Sequence, residues 1–149
     1  MPNWCSNTVT VYHEQAHMID RFVNAAHSDG LFESYVSIGP DDSPTAKWGC
    51  KWDVNMNDDG SFIERIDDNT ASMSFMTPWS PPIEFYEALE NDNGYEVNAY
   101  FYEPGVGFAG TFDNGSTNEY EVSNQADVEA LPEDLRVEMD IDSYFEEAL

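Results

Sequence analysis

Residues 70–93 read TASMSFMTPWSPPIEFYEALENDN, and within this stretch the spacing of apolar residues changes from that of a strand to that of a helix. At 70–76 apolar and small side chains alternate, which places Met73 and Phe75 on one face of an extended chain. The prolines within 78–82 interrupt this pattern, because proline cannot donate to the hydrogen-bond ladder of a sheet. The stretch therefore predicts a β-strand that ends at a proline-rich turn.

A helix is predicted directly after that turn. Ser80 is a suitable N-cap residue, and Pro81 would then occupy the first helical position, where its missing N–H is not needed. Apolar residues follow at helical spacing at Ile83, Tyr86 and Leu89. The Asn-Gly pair after them is a good helix stop, so the helix is expected to be about three turns long.

The spacing of apolar residues also predicts strands and helices in the rest of the chain. Extended segments are predicted at 4–12, 47–54, 61–66, 95–102, 108–112 and 117–122. Helical spacing is found at 14–26 and, more weakly, at 125–135, whereas 31–38 fits either a short strand or a packed loop. Asn114-Gly115 predicts a hairpin turn, and a reversal at 57–60 is expected to pair the strands on either side of it. At 137–142 apolar and acidic residues alternate, which favours a strand without excluding a helix.

This order of elements, β-α-β-β-β-α-β followed by a hairpin, predicts an α+β fold. Two helices packed on one face of an antiparallel sheet bury both apolar helix faces most economically, so the expected architecture is ferredoxin-like. We expect one domain over 1–149. Residues 1–115 would form the ferredoxin-like core, and residues 116–149 an acidic C-terminal extension made of the hairpin's last strand and an acidic segment.

Charge is the dominant feature of the composition. Thirty acidic residues face five basic ones, for a formal net charge of −25, while the aromatic content of 14% indicates a packed globule and not a disordered acidic chain. We expect no direct binding to nucleic acid, because phosphate contacts need a basic patch. A basic protein is the complementary partner. Adaptation to a salty environment explains the same charge, and both interpretations stay open.

No apolar run has the length of a membrane span, and the first residues lack the basic and apolar regions of a signal peptide. We therefore expect no membrane contact and a location in the cytoplasm of the host cell. Cys5 and Cys50 are too few for a disulfide framework, and neither has metal-ligand neighbours at zinc spacing. The sequence predicts no metal site and no cofactor.

Four short segments carry a resemblance to a known family. They are MPNWCSN at 1–7, WGCKWD at 48–53, FMTPWSPP at 75–82 and the glycine-rich EPGVGFAG at 103–110. In this order they resemble the YubB-type ferredoxin-like domain family, small proteins of bacteriophages and plasmids. The resemblance spans about 1–115 and implies a ferredoxin-like shape without an iron–sulfur cluster, since the four cysteines of such a cluster are missing. It implies fold more than activity.

All four tryptophans lie inside these motif segments, and they support two interpretations. They could pack together as a core over one end of the sheet, which is the commoner role of such large rings. Alternatively, several of them could line a small polar and aromatic pocket, as expected of a ligand-binding or enzymatic domain. The candidate pocket residues are Trp48, Lys51, Trp52, Asp53, Trp79 and Glu103.

The carboxylates that follow the hairpin turn form the candidate partner-binding surface. They are Glu119, Glu121, Asp127, Glu129, Glu133, Asp134, Glu138, Asp140, Asp142, Glu146 and Glu147. Residues two apart on a strand are roughly 6–7 Å apart, a spacing comparable to that of phosphates along DNA. Such rows could imitate nucleic acid toward a host defence or DNA-binding protein. A solvated face that merely keeps the chain in solution is the simpler alternative.

Two segments match known functional motifs in part, but the residues around them do not fit. The GxGxxG spacing at 105–110 runs on as a strand and not into a helix, so a dinucleotide site is not predicted. The acidic loop at 53–64 fits a calcium loop in neither of its two frames. We therefore predict no catalytic residue and a protein that is not an enzyme.

Overall fold

The computed structural model describes residues 3–28, 30–54 and 61–143, which form a mixed α+β structure. The elements in chain order are β1 Trp4–Tyr12, α1 Ala16–Ala26, α2 Leu31–Tyr35, α3 Pro44–Trp48, β2 Phe62–Asp67, β3 Thr70–Pro78, α4 Ile83–Asn93, β4 Glu96–Glu103, β5 Phe108–Asp113, β6 Ser116–Glu121, α5 Gln125–Ala130 and α6 Glu133–Glu138. The predicted α+β class is thus confirmed.

The described strands form one antiparallel sheet in the order β2-β3-β1-β4-β5-β6. β1 lies inside it and pairs on both sides, with Val9 opposite Met73 of β3 and opposite Ala99 of β4. The helical segments between β1 and β2, and α4 between β3 and β4, each carry the chain past one intervening strand. The hairpin predicted at Asn114-Gly115 is confirmed, and it joins β5 to β6.

Helices cover both faces of the sheet, so the expectation of two helices on one face is incomplete. On the first face, alternate residues of β1 such as Val9 and Val11 pack with side chains of α1, α2, α3 and α4 in the main core. On the second face, α5 and α6 bury Val128 and Leu135 against Tyr102 of β4. This second, smaller core covers the β4–β6 half of the sheet.

The strand predicted at 47–54 is wrong. A short helix, α3, occupies the first part of this segment: Ser43 accepts a hydrogen bond from the N–H of Ala46, Pro44 stands at the first helical position, and Gly49 ends the helix with φ of 97°. These capping signals outweigh the β-propensity of the residues that follow. The partner of β2 is consequently β3, with Ile63 opposite Met73. The reversal predicted at 57–60 lies outside the described residues.

The beginning of α4 also differs from the prediction. Its N-cap residue is Pro82, and the Ser80 hydroxyl donates instead to the Gly49 carbonyl, at 2.6 Å. The reason is steric, because a residue that precedes a proline is disfavoured in the helical region, and Pro81 precedes one. At 31–38 the expectation of a short strand or a packed loop is wrong for the first part of the segment, which forms the helix α2.

The alternative of a helix is the correct one at 137–142. α6 runs to Glu138, and helical structure resumes at Ile141 after a turn in which Asp140 has φ of 49°. Leu135 and Ile141 are buried, whereas Val137 is exposed, so the apolar residues do not share the face that a strand would require. The alternation of apolar and acidic residues was therefore coincidental.

Gly110 of β5 tests the packing between the sheet strands. A Cβ at this position would collide with the Asn118 carbonyl oxygen and with the Phe101 ring. We expect Gly110→Ala to lower the free energy of unfolding by about 3 kcal/mol, as overpacked sites do, measured by urea denaturation. In the control Gly39→Ala, the nearest atom to the new Cβ would be 3.5 Å away. Equal stability of the two variants would contradict this packing.

Candidate functional site

A cleft of about 400 Å³ opens on the second face of the sheet, where β1 begins. α5 and α6 leave this part of the face uncovered, because their core extends over β4–β6. The cleft lies between the start of β1 and the turn that follows α6. Its lining residues are Asn3, Trp4, Ser6, Met76, Tyr102, Glu103, Pro104, Gly105 and Met139.

Three tryptophans form a cluster beside the cleft, which we call the aromatic cluster: Trp4, Trp52 and Trp79. Trp4 also lines the cleft, and it joins the cluster to it. Trp52 is its centre, with ring centroids 5.9 Å from Trp4 and 6.2 Å from Trp79 and with interplanar angles of 75° and 70°. The three residues are 36%, 43% and 40% exposed, so their rings form a surface and not a core. The Lys51 ammonium lies over the Trp79 ring, 4.7 Å from its centroid. This is cation–π geometry.

The backbone of Trp79 has an unusual conformation. Trp79 has φ of 62°, a left-handed conformation that is rare for a bulky side chain. Its N–H donates to the Asn3 carbonyl at 2.8 Å, and the next residue is tied down where the Thr77 hydroxyl donates to the Ser80 carbonyl at 2.7 Å. A residue in this region costs about 1–3 kcal/mol, and such strain persists only where the surroundings hold it.

The structure brings together three of the six predicted pocket residues: Lys51, Trp52 and Trp79. Trp48 is buried in the main core, where its indole N–H donates to the Val36 carbonyl at 2.8 Å. Glu103 borders the cleft but is fully buried, and its carboxylate accepts from the N–H groups of the two residues at 105 and 106. Asp53 serves another element, so the six residues do not line one pocket.

Asp53 joins the segment of the aromatic cluster to the start of α2. Its carboxylate accepts hydrogen bonds from the N–H groups of Phe32 at 2.8 Å, Glu33 at 3.0 Å and Val54 at 2.8 Å. Burial raises the pKa of Asp53, and these three hydrogen bonds oppose that rise. Asp53 thus accepts from N–H groups in the first turn of α2, which have no partner within the helix. The sequence did not predict this structural role.

The buried thiols have the wrong protonation state for nucleophilic chemistry. Burial raises the pKa of Cys5 above its usual range, and the nearby Glu103 raises it further. Burial raises the pKa of Cys50 to about 12, with Asp53 as the next cause. Both groups are neutral thiols at physiological pH, and the thiolate is the reactive form.

Among the described residues, no group of three His, Cys, Asp or Glu side chains is arranged to hold a metal ion.

The predicted carboxylates that the structure describes are distributed over β6, α5, α6 and the residues that follow α6. Four of them make local hydrogen bonds: Glu121 with the Ser123 hydroxyl, Asp127 with the Ser123 N–H, Asp134 with the Tyr100 hydroxyl, and Asp142 with Arg136. Five others are exposed: Glu119, Glu129, Glu133, Glu138 and Asp140. Glu146 and Glu147 lie outside the described residues.

None of the helices in the described part of the chain is long and apolar enough to span a membrane.

Sequence reasoning missed most of the cleft. Ser6, Met76 and Tyr102 face it from three neighbouring strands, because Ser6 lies opposite both of the other two in the sheet. This relation depends on the register of the strands, which no local pattern reveals. The motif segments at 1–7 and 75–82 contained the signal that could have been used, since both supply lining residues.

No family model matches the sequence. No curated protein matches it either. Among solved structures, the chain is similar to the protein api92 from Yersinia pseudotuberculosis, whose family model is DUF1281, with a TM-score of 0.41 and 22% identity. The similarity covers 54% of this chain and 30% of the Yersinia protein. A TM-score this low does not establish a shared fold.

Removing the Asp53 carboxylate should loosen the tie between α2 and the aromatic cluster. We expect Asp53→Ala to lower the free energy of unfolding by about 2 kcal/mol, because three N–H groups lose a charged acceptor. Urea denaturation followed by circular dichroism measures the change. Asp41→Ala removes the same charge from an exposed loop and serves as the control. An equal loss in both variants would show that net charge, and not the hydrogen bonds, is responsible.

Proposed function

We propose that the protein is an acidic interaction protein of a mobile genetic element, which occupies the nucleic-acid-binding site of a basic host protein. The single observation behind this proposal is the surface of β6, α5 and α6. Over 116–143 the chain has one basic residue, Arg136, and Asp142 already pairs with it through bonds of 2.9 and 3.1 Å. The exposed carboxylates around this pair therefore have no nearby basic residue in sequence to neutralise them.

The strand order supports a ferredoxin-like core as part of the proposal. β2-β3-β1-β4 is the order expected for a β-α-β-β-α-β unit in which each crossover passes one strand. β5 and β6 then extend this unit at the β4 side. The proposed YubB-type membership is supported by the aromatic cluster, since the three motif segments at 1–7, 48–53 and 75–82 each contribute one tryptophan to it. A phage or plasmid origin and action in the host cytoplasm follow from that proposed membership.

Electrostatics makes the proposed interaction fast and sensitive to salt. A surface of one sign attracts its partner over a distance of about one Debye length, roughly 10 Å at 0.1 M salt. A host site that binds DNA is rich in Lys and Arg, and carboxylates can replace phosphates as hydrogen-bond acceptors there. Glu119 and Glu121 point from β6 to the side of the sheet opposite α5 and α6, because Tyr120 between them packs with that helix pair. Glu129, Glu133 and Glu138 are exposed on the helix pair, so carboxylates lie on both sides of this edge of the sheet.

A small-ligand or enzymatic domain is the second candidate, because the cleft has a volume within the usual range of small-molecule sites, about 300–1,000 Å³. Its lining mixes apolar rings with a few polar groups, as such sites do. Salt adaptation is a third, since exposed carboxylates also occur on other elements, at Glu33, Glu64 and Glu87. A partner displaced by DNA would separate the first candidate from the other two.

Capture from host lysate at about 50 mM salt tests the proposal. We expect the immobilised protein to retain a cationic DNA-binding protein, which duplex DNA or about 200 mM salt then releases. In the purified pair, the triple variant Glu129→Gln, Glu133→Gln, Glu138→Gln should bind about tenfold more weakly, because three carboxylate contacts are lost.

The matched control removes three charges from other exposed positions: Asp41→Asn, Glu87→Gln and Asp92→Asn. This control makes the net charge less negative by the same three units but leaves β6, α5 and α6 unchanged. Equal weakening by both triple variants would mean that overall charge, and not this surface, drives binding. A captured protein that DNA does not displace would rule out mimicry of nucleic acid.

A further inference from the structure

We infer that the aromatic cluster is a binding site for an arginine or lysine side chain of a basic polypeptide segment that lies along the cleft. The inference goes beyond the proposed function, because it adds an aromatic contact surface to the carboxylate one and needs no mimicry of nucleic acid. It shares with that proposal only the premise that the ligand is a cationic polypeptide.

The geometry of the aromatic cluster suits a cation. Trp52 stands at 75° to Trp4 and at 70° to Trp79, so the three rings present faces and edges in different directions around one point. Each ring is more than a third exposed, although burying a tryptophan is strongly favourable. Trp79 is exposed although its backbone adopts the strained left-handed conformation. Exposed tryptophans of this kind are the residues that most often dominate binding energy in interfaces.

One cation of the chain already lies on the cluster. Lys51 has its ammonium 4.7 Å from the centroid of the Trp79 ring, within the distance at which the ring quadrupole attracts a cation. A guanidinium is planar and more weakly hydrated than an ammonium, so it stacks on an indole with a smaller loss of hydration. An incoming arginine is therefore a competitor that can displace Lys51 from the ring.

The extent of the cleft favours a polypeptide over a small ammonium ion as the ligand. It continues from Trp4 to Met139, the residue after α6, and the neighbours of Met139 in sequence are the exposed carboxylates Glu138 and Asp140. A segment with several basic residues can place one cation on the aromatic cluster and another near these carboxylates. A small quaternary ammonium ion would use only the first of these two features.

A short basic peptide tests this inference directly. The probe is a fluorescein-labelled peptide of four Gly-Arg repeats, amidated at its C-terminus, and anisotropy reports its binding to the full chain. We expect Trp52→Ala to weaken binding about tenfold, because the central ring of the cluster is lost. The control Phe62→Ala removes an exposed ring from β2 and should leave binding unchanged. Circular dichroism verifies that both variants are folded.

A second variant keeps the test decisive if Trp52→Ala fails to fold. Lys51→Gln removes the internal competitor and should tighten peptide binding about threefold more than Lys47→Gln, which deletes the same charge from the exposed side of α3. Equal effects of the two lysine variants would overturn the inference, as would unchanged binding by folded Trp52→Ala. Tetramethylammonium binding as tight as that of the peptide would overturn the choice of a polypeptide.

These outcomes are separable from failure of the proposed function. If Trp52→Ala leaves peptide binding intact while the triple variant of Glu129, Glu133 and Glu138 weakens it, the aromatic site is wrong and the carboxylate surface stands. If no DNA-displaceable partner is captured but the peptide responds to Trp52 and Lys51, the aromatic site stands and mimicry of nucleic acid is wrong.

Discussion

The pairing of β1 on both of its edges is the constraint on which the rest of the structure depends. Because β3 and β4 hold this strand in a fixed register, its alternation sends Val9 and Val11 into the main core and turns Trp4 and Ser6 to the second face. A slip of one residue would exchange these two sets of side chains. The cleft and the aromatic cluster both begin at Trp4, so their existence follows directly from the hydrogen-bond ladder at the centre of the sheet.

The second face is divided between a core and an open surface. α5 and α6 cover the β4–β6 half with Val128 and Leu135, and the boundary of this small core, at Met139, is also one wall of the cleft. The residue that follows the acidic helix pair, Met139, and Trp4 of the aromatic cluster consequently line the same cleft. A partner that enters the cleft would meet rings and carboxylates together, a combination that favours arginine over other side chains.

The local spacing of apolar residues and turn residues predicted β1, α1, α4 and the hairpin at Asn114-Gly115. It failed at α3, where the Ser43 cap and Gly49 outweigh the strand-forming residues after them. Of the candidate site, the sequence identified Lys51, Trp52 and Trp79 but grouped them with Trp48, which belongs to the main core. Whether a tryptophan is buried or exposed depends on contacts between segments far apart in the chain, and no local pattern contains that information.

The position of β6 at the border of the sheet has a consequence for self-association. A terminal strand offers unpaired N–H and C=O groups to any other strand, including the same strand of a second molecule. Glu119 and Glu121 stand on this strand, so two such borders repel each other before their backbones can pair. The carboxylates therefore act against edge-to-edge pairing of β6 between two copies, and this repulsion is strongest at low ionic strength.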